Sequence, residues 1–321
     1  MGRAGYSLGG LRGEARGGIK CGICGGAGGK WAKRYCLRCR RLLKRSGDAK
    51  AAYVAALQKA WSVGDDGFLC HYSGVKLVEG GRKDPWALSF DHVVPGQKGN
   101  LVVCSFLINV MKAELSEEEF RVVVKEIDRH WKGQRFRKDV IGFASWNKAA
   151  LAARGRIRRA LAITGARGNL GMPGRLGKPG ARGVKGPCPI CGAEAKKGTR
   201  YCARCFRLQE LRGERVAARK ALKRAWDAKA GGFRCHYTGI ILEEKDRKSP
   251  WYISFDHPTP GKKGAVVVTA IFVNLMKTDM SEKEFRAMIR ELAKKFKGGV
   301  FDKSKLEFKY YHRGVRPKTK K

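Results

Sequence analysis

An internal duplication constrains this chain more than any other feature of its sequence. The tetrapeptide Ser-Phe-Asp-His ends at His92 and again at His257. In each copy an asparagine, Asn109 or Asn274, lies eighteen residues after the aspartate. The offset between matched positions drifts only from 167 to 165 along the two copies. A repeat that keeps its spacing in this way predicts two copies of one fold.

The duplication divides the sequence into five segments. Stretches rich in Gly, Pro, Arg and Lys lie outside the copies and are typical of flexible basic connections. The predicted segments are a basic Gly-rich arm (1–20), repeat one (21–140), a helix with a basic Gly/Pro-rich linker (141–186), repeat two (187–305) and a basic tail (306–321).

Each repeat predicts the same order of elements. A cysteine-rich knuckle is followed by a basic helix, a short hairpin, an alternating strand, a loop, a second strand and a short helix. A last helix begins at Ser116 in repeat one and at Ser281 in repeat two, where Ser-x-x-Glu predicts a capping box. The expected fold class is α+β, with two tandem repeats that each combine a knuckle with a strand–loop–strand–helix core and flanking helices.

Cysteine spacing indicates metal sites. Eight of the eleven cysteines form Cys-x2-Cys pairs, and no secretory signal precedes them, which favours thiolates on metal over disulfides. Four thiolates make a closed tetrahedral zinc site, so we expect two structural Zn²⁺ ions. A redox role would need a thioredoxin-like context that is missing, and Cys70, Cys104 and Cys235 are expected to be apolar thiols. The predicted zinc ligands are Cys21, Cys24, Cys36 and Cys39 in repeat one, and Cys188, Cys191, Cys202 and Cys205 in repeat two.

The charge balance points to a polyanionic partner. The 69 Lys and Arg residues exceed the 28 Asp and Glu residues by 41. Nucleic acid is the leading candidate, because phosphate neutralisation supplies affinity for any sequence. A ribosome-like basic protein has the same balance, whereas a membrane is not expected without a long apolar run. The predicted nucleic-acid contacts are Arg34, Arg38, Arg41, Lys112, Arg200, Arg204 and Lys277.

The Asp-His-Asn constellation suits phosphodiester hydrolysis. A Mg²⁺-like ion prefers oxygen ligands, which Asp91 and Asn109 can supply. His92 can take a proton from an attacking water. On a regular strand His92 and Asp91 would point to opposite faces, so a bend after them would be needed to direct both to one phosphate. A hydrogen-bonded surface pair is the plainer interpretation, but recurrence at identical spacing favours a site.

The motifs together resemble those of a known family. Cys-x-Tyr-Ser/Thr-Gly, Ser-Phe-Asp-His, Pro-Gly and Asn-x-Met-Lys, followed by Ser-Glu-x-Glu-Phe, resemble the HNH (ββα-metal, His-Me finger) endonucleases, in particular the branch with an upstream four-cysteine zinc module. The likeness covers most of both repeats. It implies a ββα-metal core in each of them.

The resemblance also implies residue roles. His92 and His257 would be the general bases, and Asn100 would steady the loop after the first of them. A Mg²⁺-like ion would be bound in each repeat by Asp91 with Asn109, and by Asp256 with Asn274. Ala265 departs from the pattern, because it stands where repeat two should have the loop asparagine. The asparagine on the helix is a second departure, since many members have histidine there.

The expected function is therefore a metal-dependent DNA endonuclease, homing or restriction-like. One chain would cut both strands of duplex DNA as a monomer with an internal pseudo-twofold axis. It would act inside the cell, wherever its target DNA lies. Two alternatives remain: a nickase with only repeat one active, because of Ala265, and a non-catalytic zinc-ribbon protein that binds DNA or RNA.

Overall fold

A computed structural model gives the fold of most of both repeats. The described residues are 20–26, 34–44, 46, 49–79, 84–97, 99–141, 186–210 and 214–306. The expected arm, the helix and linker between the repeats, and the basic tail lie almost entirely outside these ranges.

The first half of the chain runs from a knuckle through two helices and two hairpins to a pair of helices. Its elements are α1 (Leu37–Leu43), α2 (Lys50–Ala60), β1 (Trp61–Ser62), β2 (Gly67–Phe68), β3 (Leu88–His92), β4 (Leu101–Ser105), α3 (Phe106–Lys112) and α4 (Glu117–Trp131), with a 3-10 turn at Lys138–Val140.

The second half presents the same succession of elements. They are α5 (Ala203–Glu210), α6 (Arg215–Ala225), β5 (Trp226–Asp227), β6 (Gly232–Phe233), β7 (Ile253–Asp256), β8 (Val267–Ala270), α7 (Ile271–Lys277) and α8 (Glu282–Phe296), with a 3-10 turn at Lys303–Lys305. The fold is mixed α and β, and its described sheets are small and two-stranded.

The hairpin that bears the Asp-His pair is antiparallel in both halves. In the first, β3 pairs with β4 through its last residue, so that His92 lies opposite Leu101. In the second, the pairing of β7 with β8 ends one residue earlier, where Asp256 lies opposite Val267. A helix follows each hairpin directly and packs on it, as the order of apolar segments predicts.

Local sequence explains where the long helices begin. The Ser116 hydroxyl accepts a hydrogen bond from the Glu119 amide, and the Glu119 carboxylate accepts one from the Ser116 amide. This reciprocal pair satisfies two donors that the first turn leaves unpaired, and it confirms the predicted capping box. The same box starts α8 at Ser281. No helix in the described ranges is long and apolar enough to span a bilayer.

Helices α4 and α8 join the two halves through reciprocal aromatic contacts. The Phe120 and Phe296 rings are 5.9 Å apart. The Trp131 and Phe285 rings are 5.7 Å apart. With the repeat offset of 165, Phe120 corresponds to Phe285 and Trp131 to Phe296, so each contact is the counterpart of the other. Reciprocity of this kind is the signature of an isologous interface.

A second pair of contacts repeats the pattern at the edge of this interface. Trp86 meets Phe301 with ring centres 5.9 Å apart, and Phe136 meets Trp251 at 6.1 Å. All four side chains are buried. The apolar cluster is therefore continuous from one half of the molecule to the other.

Candidate functional site

Each knuckle gathers four cysteine sulfurs into a metal-sized cluster. Within each group the Sγ atoms all lie within 4.8 Å of one another. The Sγ atoms of Cys24 and Cys36 are 3.6 Å apart, and those of Cys191 and Cys202 are 3.5 Å apart. A disulfide needs about 2.05 Å, whereas four sulfurs about 2.3 Å from one zinc ion are about 3.8 Å from each other. Both clusters could therefore hold zinc ions.

The electrostatics of the knuckles suit thiolate ligation. Burial alone would raise the pKa of the Cys21 thiol, but amide N–H groups of the turn, first that of Cys24, lower its pKa to about 6. Similar amides lower the pKa of Cys188 to about 7. Burial raises the pKa of Cys39 and Cys205. Each cluster therefore has one readily ionised thiol, and a bound metal ion would ionise the others by displacing their protons.

Arg38 anchors the first knuckle helix to the following hairpin. Its guanidinium forms a forked ion pair with Glu79, with a distance of 2.6 Å from Nε. It also lies 4.8 Å from the centre of the Trp61 ring. The guanidinium is therefore paired and stacked within the protein, and its predicted contact with nucleic acid stays a prediction.

Arg204 makes the equivalent clamp in the second half. It pairs with Glu244, again at 2.6 Å from Nε, and lies 4.9 Å from the centre of the Trp226 ring. Its predicted contact with nucleic acid likewise stays a prediction. Arg34, Arg41 and Arg200 are exposed, and their contact with nucleic acid stays a prediction.

Asp91 belongs to a buried polar cluster between the hairpin and α3. The Tyr72 hydroxyl donates to its Oδ2 over 2.5 Å. The Lys112 ammonium lies 3.3 Å from Oδ1 and 3.2 Å from Oδ2, and donates to the His92 carbonyl over 2.8 Å. Burial raises the pKa of Asp91, although Lys112 and Tyr72 oppose this. Burial and the adjoining carboxylate raise the pKa of Tyr72.

The second half repeats this cluster closely. Tyr237 donates to Asp256 over 2.6 Å, and Lys277 lies 3.2 Å from the same carboxylate and 3.0 Å from the His257 carbonyl. Lys112 is 0% exposed and Lys277 1%. The predicted phosphate contacts of these two lysines are corrected, because their ammonium groups are enclosed in strand–helix packing.

The asparagines on α3 and α7 bond back to the preceding strand. Asn109 donates from Nδ2 to the Ser89 hydroxyl over 2.8 Å and to the Phe90 carbonyl over 2.9 Å. Asn274 makes the same two bonds at 2.9 and 3.0 Å. Their amide nitrogens therefore fix the helix to the hairpin.

The oxygens at Asp91 have the right chemistry for a divalent cation. Mg²⁺ prefers carboxylate, amide and carbonyl oxygens, which Asp91, Asn109 and the His92 carbonyl offer. The Lys112 ammonium, itself a cation, contacts two of these groups. Asp91 could therefore bind a divalent ion only after Lys112 withdraws from it. The donor set fits such an ion, and Lys112 is the competing cation.

His92 lies on the face of the hairpin opposite Asp91. It is exposed and is the last residue of β3, still paired with β4. Phe90, two residues earlier on the same face, packs against Tyr53 of α2 with ring centres 4.4 Å apart. Because β3 stays regular through His92, any bend lies after it and does not bring the side chains of His92 and Asp91 to the same face. Asn100 is exposed, and its carbonyl accepts from the Val93 amide over 3.0 Å.

Within the described ranges, His257 has a carboxylate partner and His92 has none. Its Nε2 lies 3.3 Å from Oε1 of Glu214, the residue that immediately precedes α6. The other oxygen of Glu214 accepts from the Gly264 amide over 2.8 Å. No pattern in the sequence indicated this partner, because Glu214 is 43 residues away and has alanine as its counterpart.

A second histidine pair lies beside the loop that follows β3. Nε2 of His71 is 2.9 Å from Glu117, whose carboxylate also accepts from Arg121 over 2.9 Å. These bonds, first the one to His71, lower the pKa of Glu117 to about 2. The Glu117 amide donates to the Val93 carbonyl over 2.8 Å, which ties the pair to the loop. In the sequence, this histidine is marked only by the recurrence of Cys-His-Tyr in both repeats.

The repeat-two counterpart is His236 with Glu282, 3.1 Å apart. Here too the histidine bond is the main reason why the pKa of Glu282 is lowered to about 2.

Comparisons of the chain with protein-family models, with curated proteins and with solved structures find no match.

Proposed function

We propose that the chain is a metal-dependent endonuclease of the ββα-metal type, with one site in each repeat, that cuts both strands of duplex DNA. One observation carries the proposal. An Asp-His pair ends the first strand of an antiparallel hairpin, and an asparagine from the next helix bonds back to that strand. A similar arrangement occurs in repeat two, where β7 ends at Asp256, His257 is the next residue and Asn274 bonds back to the strand.

His92 and His257 would act as the general bases. Each could take a proton from the water that attacks phosphorus, and the exposed ring of His92 can be reached by a bulky phosphodiester. Asp91 with Asn109, and Asp256 with Asn274, would hold a Mg²⁺-like ion, which would supply positive charge to the leaving oxygen. Because His92 and Asp91 lie on opposite faces of the hairpin, the end of β3 would have to unpair from β4 before both could act on one phosphate. Lys112 and Lys277 would hold the carboxylates in place before the ion binds.

Charge and symmetry support duplex DNA as the substrate. A net charge of +41 attracts a polyanion of any sequence. The reciprocal contacts of α4 with α8 support a pseudo-twofold arrangement, and two related sites on one chain match the two antiparallel strands of a duplex.

Plasmid cleavage tests the proposal. Zinc-loaded protein with Mg²⁺ or Mn²⁺ should linearise supercoiled DNA. His92→Ala and His257→Ala should each leave a nickase that cuts one strand, and the double variant should cut neither. If only repeat one were active, the unaltered chain would nick and His257→Ala would change nothing. A chain that neither nicks nor cuts any DNA would end the enzyme proposal.

A non-catalytic nucleic-acid-binding protein is the second candidate. The observation that favours it is the buried pairing of Asp91 with Lys112, which leaves the carboxylate 5% exposed. Such a protein would bind DNA or RNA with a steep dependence on salt and leave it intact when Mg²⁺ is added. Binding and cleavage measured on the same labelled duplex distinguish the two candidates.

A further inference from the structure

The loop that follows the histidine is closed differently in the two repeats. In repeat one the Val93 amide donates to the Asn100 carbonyl across the base of the loop. The counterpart of Val93 is Pro258, which has no amide hydrogen to donate. Ala265 replaces Asn100, so the asparagine side chain is absent as well. This closure of the first loop therefore cannot form in the second.

In repeat two, Glu214 contacts both ends of the corresponding loop. One carboxylate oxygen accepts from the Gly264 amide over 2.8 Å, next to Ala265 in the chain. The other is 3.3 Å from Nε2 of His257. Although Glu214 lies at the N-cap position of α6, its side chain does not cap that helix. One carboxylate therefore joins the start of α6, the end of the loop and the histidine ring.

Among the residues that the structure describes, the contact occurs in repeat two alone. With the offset of 165, the residue that corresponds to Glu214 is Ala49, which likewise precedes its helix and has no carboxylate. The glutamate thus occurs in the copy that lost the loop asparagine and the amide of Val93. Repeat one therefore holds its loop by the bond between Val93 and Asn100, whereas repeat two holds its loop by the carboxylate of Glu214.

We infer that Glu214 is the positioning residue for His257. It accepts a hydrogen bond from Nε2–H, which fixes the ring's orientation and tautomer and leaves Nδ1 as the proton acceptor. Glu214 thereby takes over the task that the resemblance assigns to the asparagine missing at Ala265. This inference rests on the proposed function for the role of Nδ1, but not for the hydrogen bond itself.

Imidazole nitrogen NMR on the zinc-loaded full-length chain tests the hydrogen bond without any cleavage. His257, assigned by its loss in His257→Gln, should show the Nε2–H tautomer with a hydrogen-bonded proton. Glu214→Ala should abolish that signature, and Val216→Ala, an exposed change on the same helix, should preserve it. An unchanged His257 signal in Glu214→Ala would overturn the inference.

Strand-specific cleavage tests the positioning role in a His92→Ala background, where only repeat two can cut. Glu214→Ala should lower kcat by roughly 10- to 100-fold with little change in KM, comparable to the loss of an outer hydrogen-bond partner at a metal site. Adding Pro258→Val and Ala265→Asn, which restores the closure of repeat one, should recover cutting.

The outcomes separate the inference from the proposed function. Unchanged kcat in Glu214→Ala, or no recovery in the restored variant, would overturn the positioning role. If no form of the chain cuts DNA, the proposed function fails, and the NMR signature still decides whether Glu214 holds His257.

Discussion

At the scale of single residues, the buried lysines change the interpretation of the sites most. The motif spacing suggested that Lys112 meets phosphate, yet it lies inside the protein against Asp91 and the His92 carbonyl. A buried charge is tolerated only when it is paired, because leaving water costs several kcal/mol per ion. Lys112 and Asp91 therefore depend on each other, and the identical pairing of Lys277 with Asp256 shows that this dependence is built into both repeats.

Removing one partner should expose that dependence. Lys112→Met should lower the free energy of unfolding by about 3–5 kcal/mol, because Asp91 is left as an unpaired buried charge. Adding Asp91→Asn should recover part of the loss. Urea unfolding at pH 7 with zinc present measures both. Lys305→Met, which breaks an exposed pair with Asp302, serves as control and should leave stability unchanged. Equal stability of Lys112→Met and the control would contradict the structure.

The carboxylate of Glu117 should make stability depend on pH in acid. Its pKa falls from 4.5 to about 2 in the folded state, mainly through His71. The folded state thus binds fewer protons than the unfolded state between these values, so the stabilisation is complete above pH 4.5 and disappears as pH falls to about 2.

Glu117→Gln tests this pH dependence. The variant should be less stable than the unaltered chain at pH 7 by about 1 kcal/mol, allowing for solvent screening. The difference should vanish near pH 2. Urea unfolding across this range measures it, with Glu118→Gln, an exposed neighbour, as control. If Glu117→Gln were still less stable than the unaltered chain near pH 2, its lower stability would come from altered packing and not from the lost charge.

At the scale of elements, the sequence predicted what depends on short-range spacing. Cysteine spacing predicted two four-sulfur clusters, and Ser-x-x-Glu predicted both capping boxes. Partners from distant segments could not be predicted in this way. Arg38 meets Glu79 across 41 residues of sequence, because the hairpin folds back over the knuckle helix. Glu214 meets His257 across 43, because α6 packs beside the hairpin. Side-chain pairing of this kind follows from tertiary packing, which residue spacing does not contain.

Each knuckle should bind its own zinc ion, and this binding should require all four of its cysteines. Cys39→Ser should reduce bound zinc from two ions to one per chain, because a closed site needs all four ligands. Native mass spectrometry of the zinc-loaded chain measures this stoichiometry. Cys104→Thr is the matched control, because Cys104 lies outside both clusters and threonine is its counterpart in repeat two. Two ions in Cys39→Ser, or one in Cys104→Thr, would refute the assignment of ligands.

At the scale of the whole molecule, the interface decides whether the two sites act as a unit. Aromatic rings on α4 and α8 contact each other in two equivalent pairs and form a shared core. An arginine guanidinium lies against one ring of each pair. Arg121 lies 4.6 Å from the centre of the Phe296 ring, and Arg286 lies 4.8 Å from that of Trp131. An interface that buries aromatic rings on both sides resembles a domain core more than a transient contact. Such a core would keep the two proposed sites at a fixed separation, which the proposed cutting of both strands at a constant stagger requires.

Truncating one ring should uncouple the halves. Phe296→Ala removes the contacts with Phe120 and Arg121 and should cost about 3–5 kcal/mol, the usual loss for a buried phenylalanine. In calorimetry the unaltered chain should unfold in one transition, and the variant in two, because each half keeps its own hairpin, helices and knuckle. Val300→Ala, at an exposed residue just beyond α8, should retain the single transition and its Tm. A single transition at unchanged Tm for Phe296→Ala would mean that these rings do not couple the halves. Cutting of both strands at a fixed stagger would then lack its structural basis.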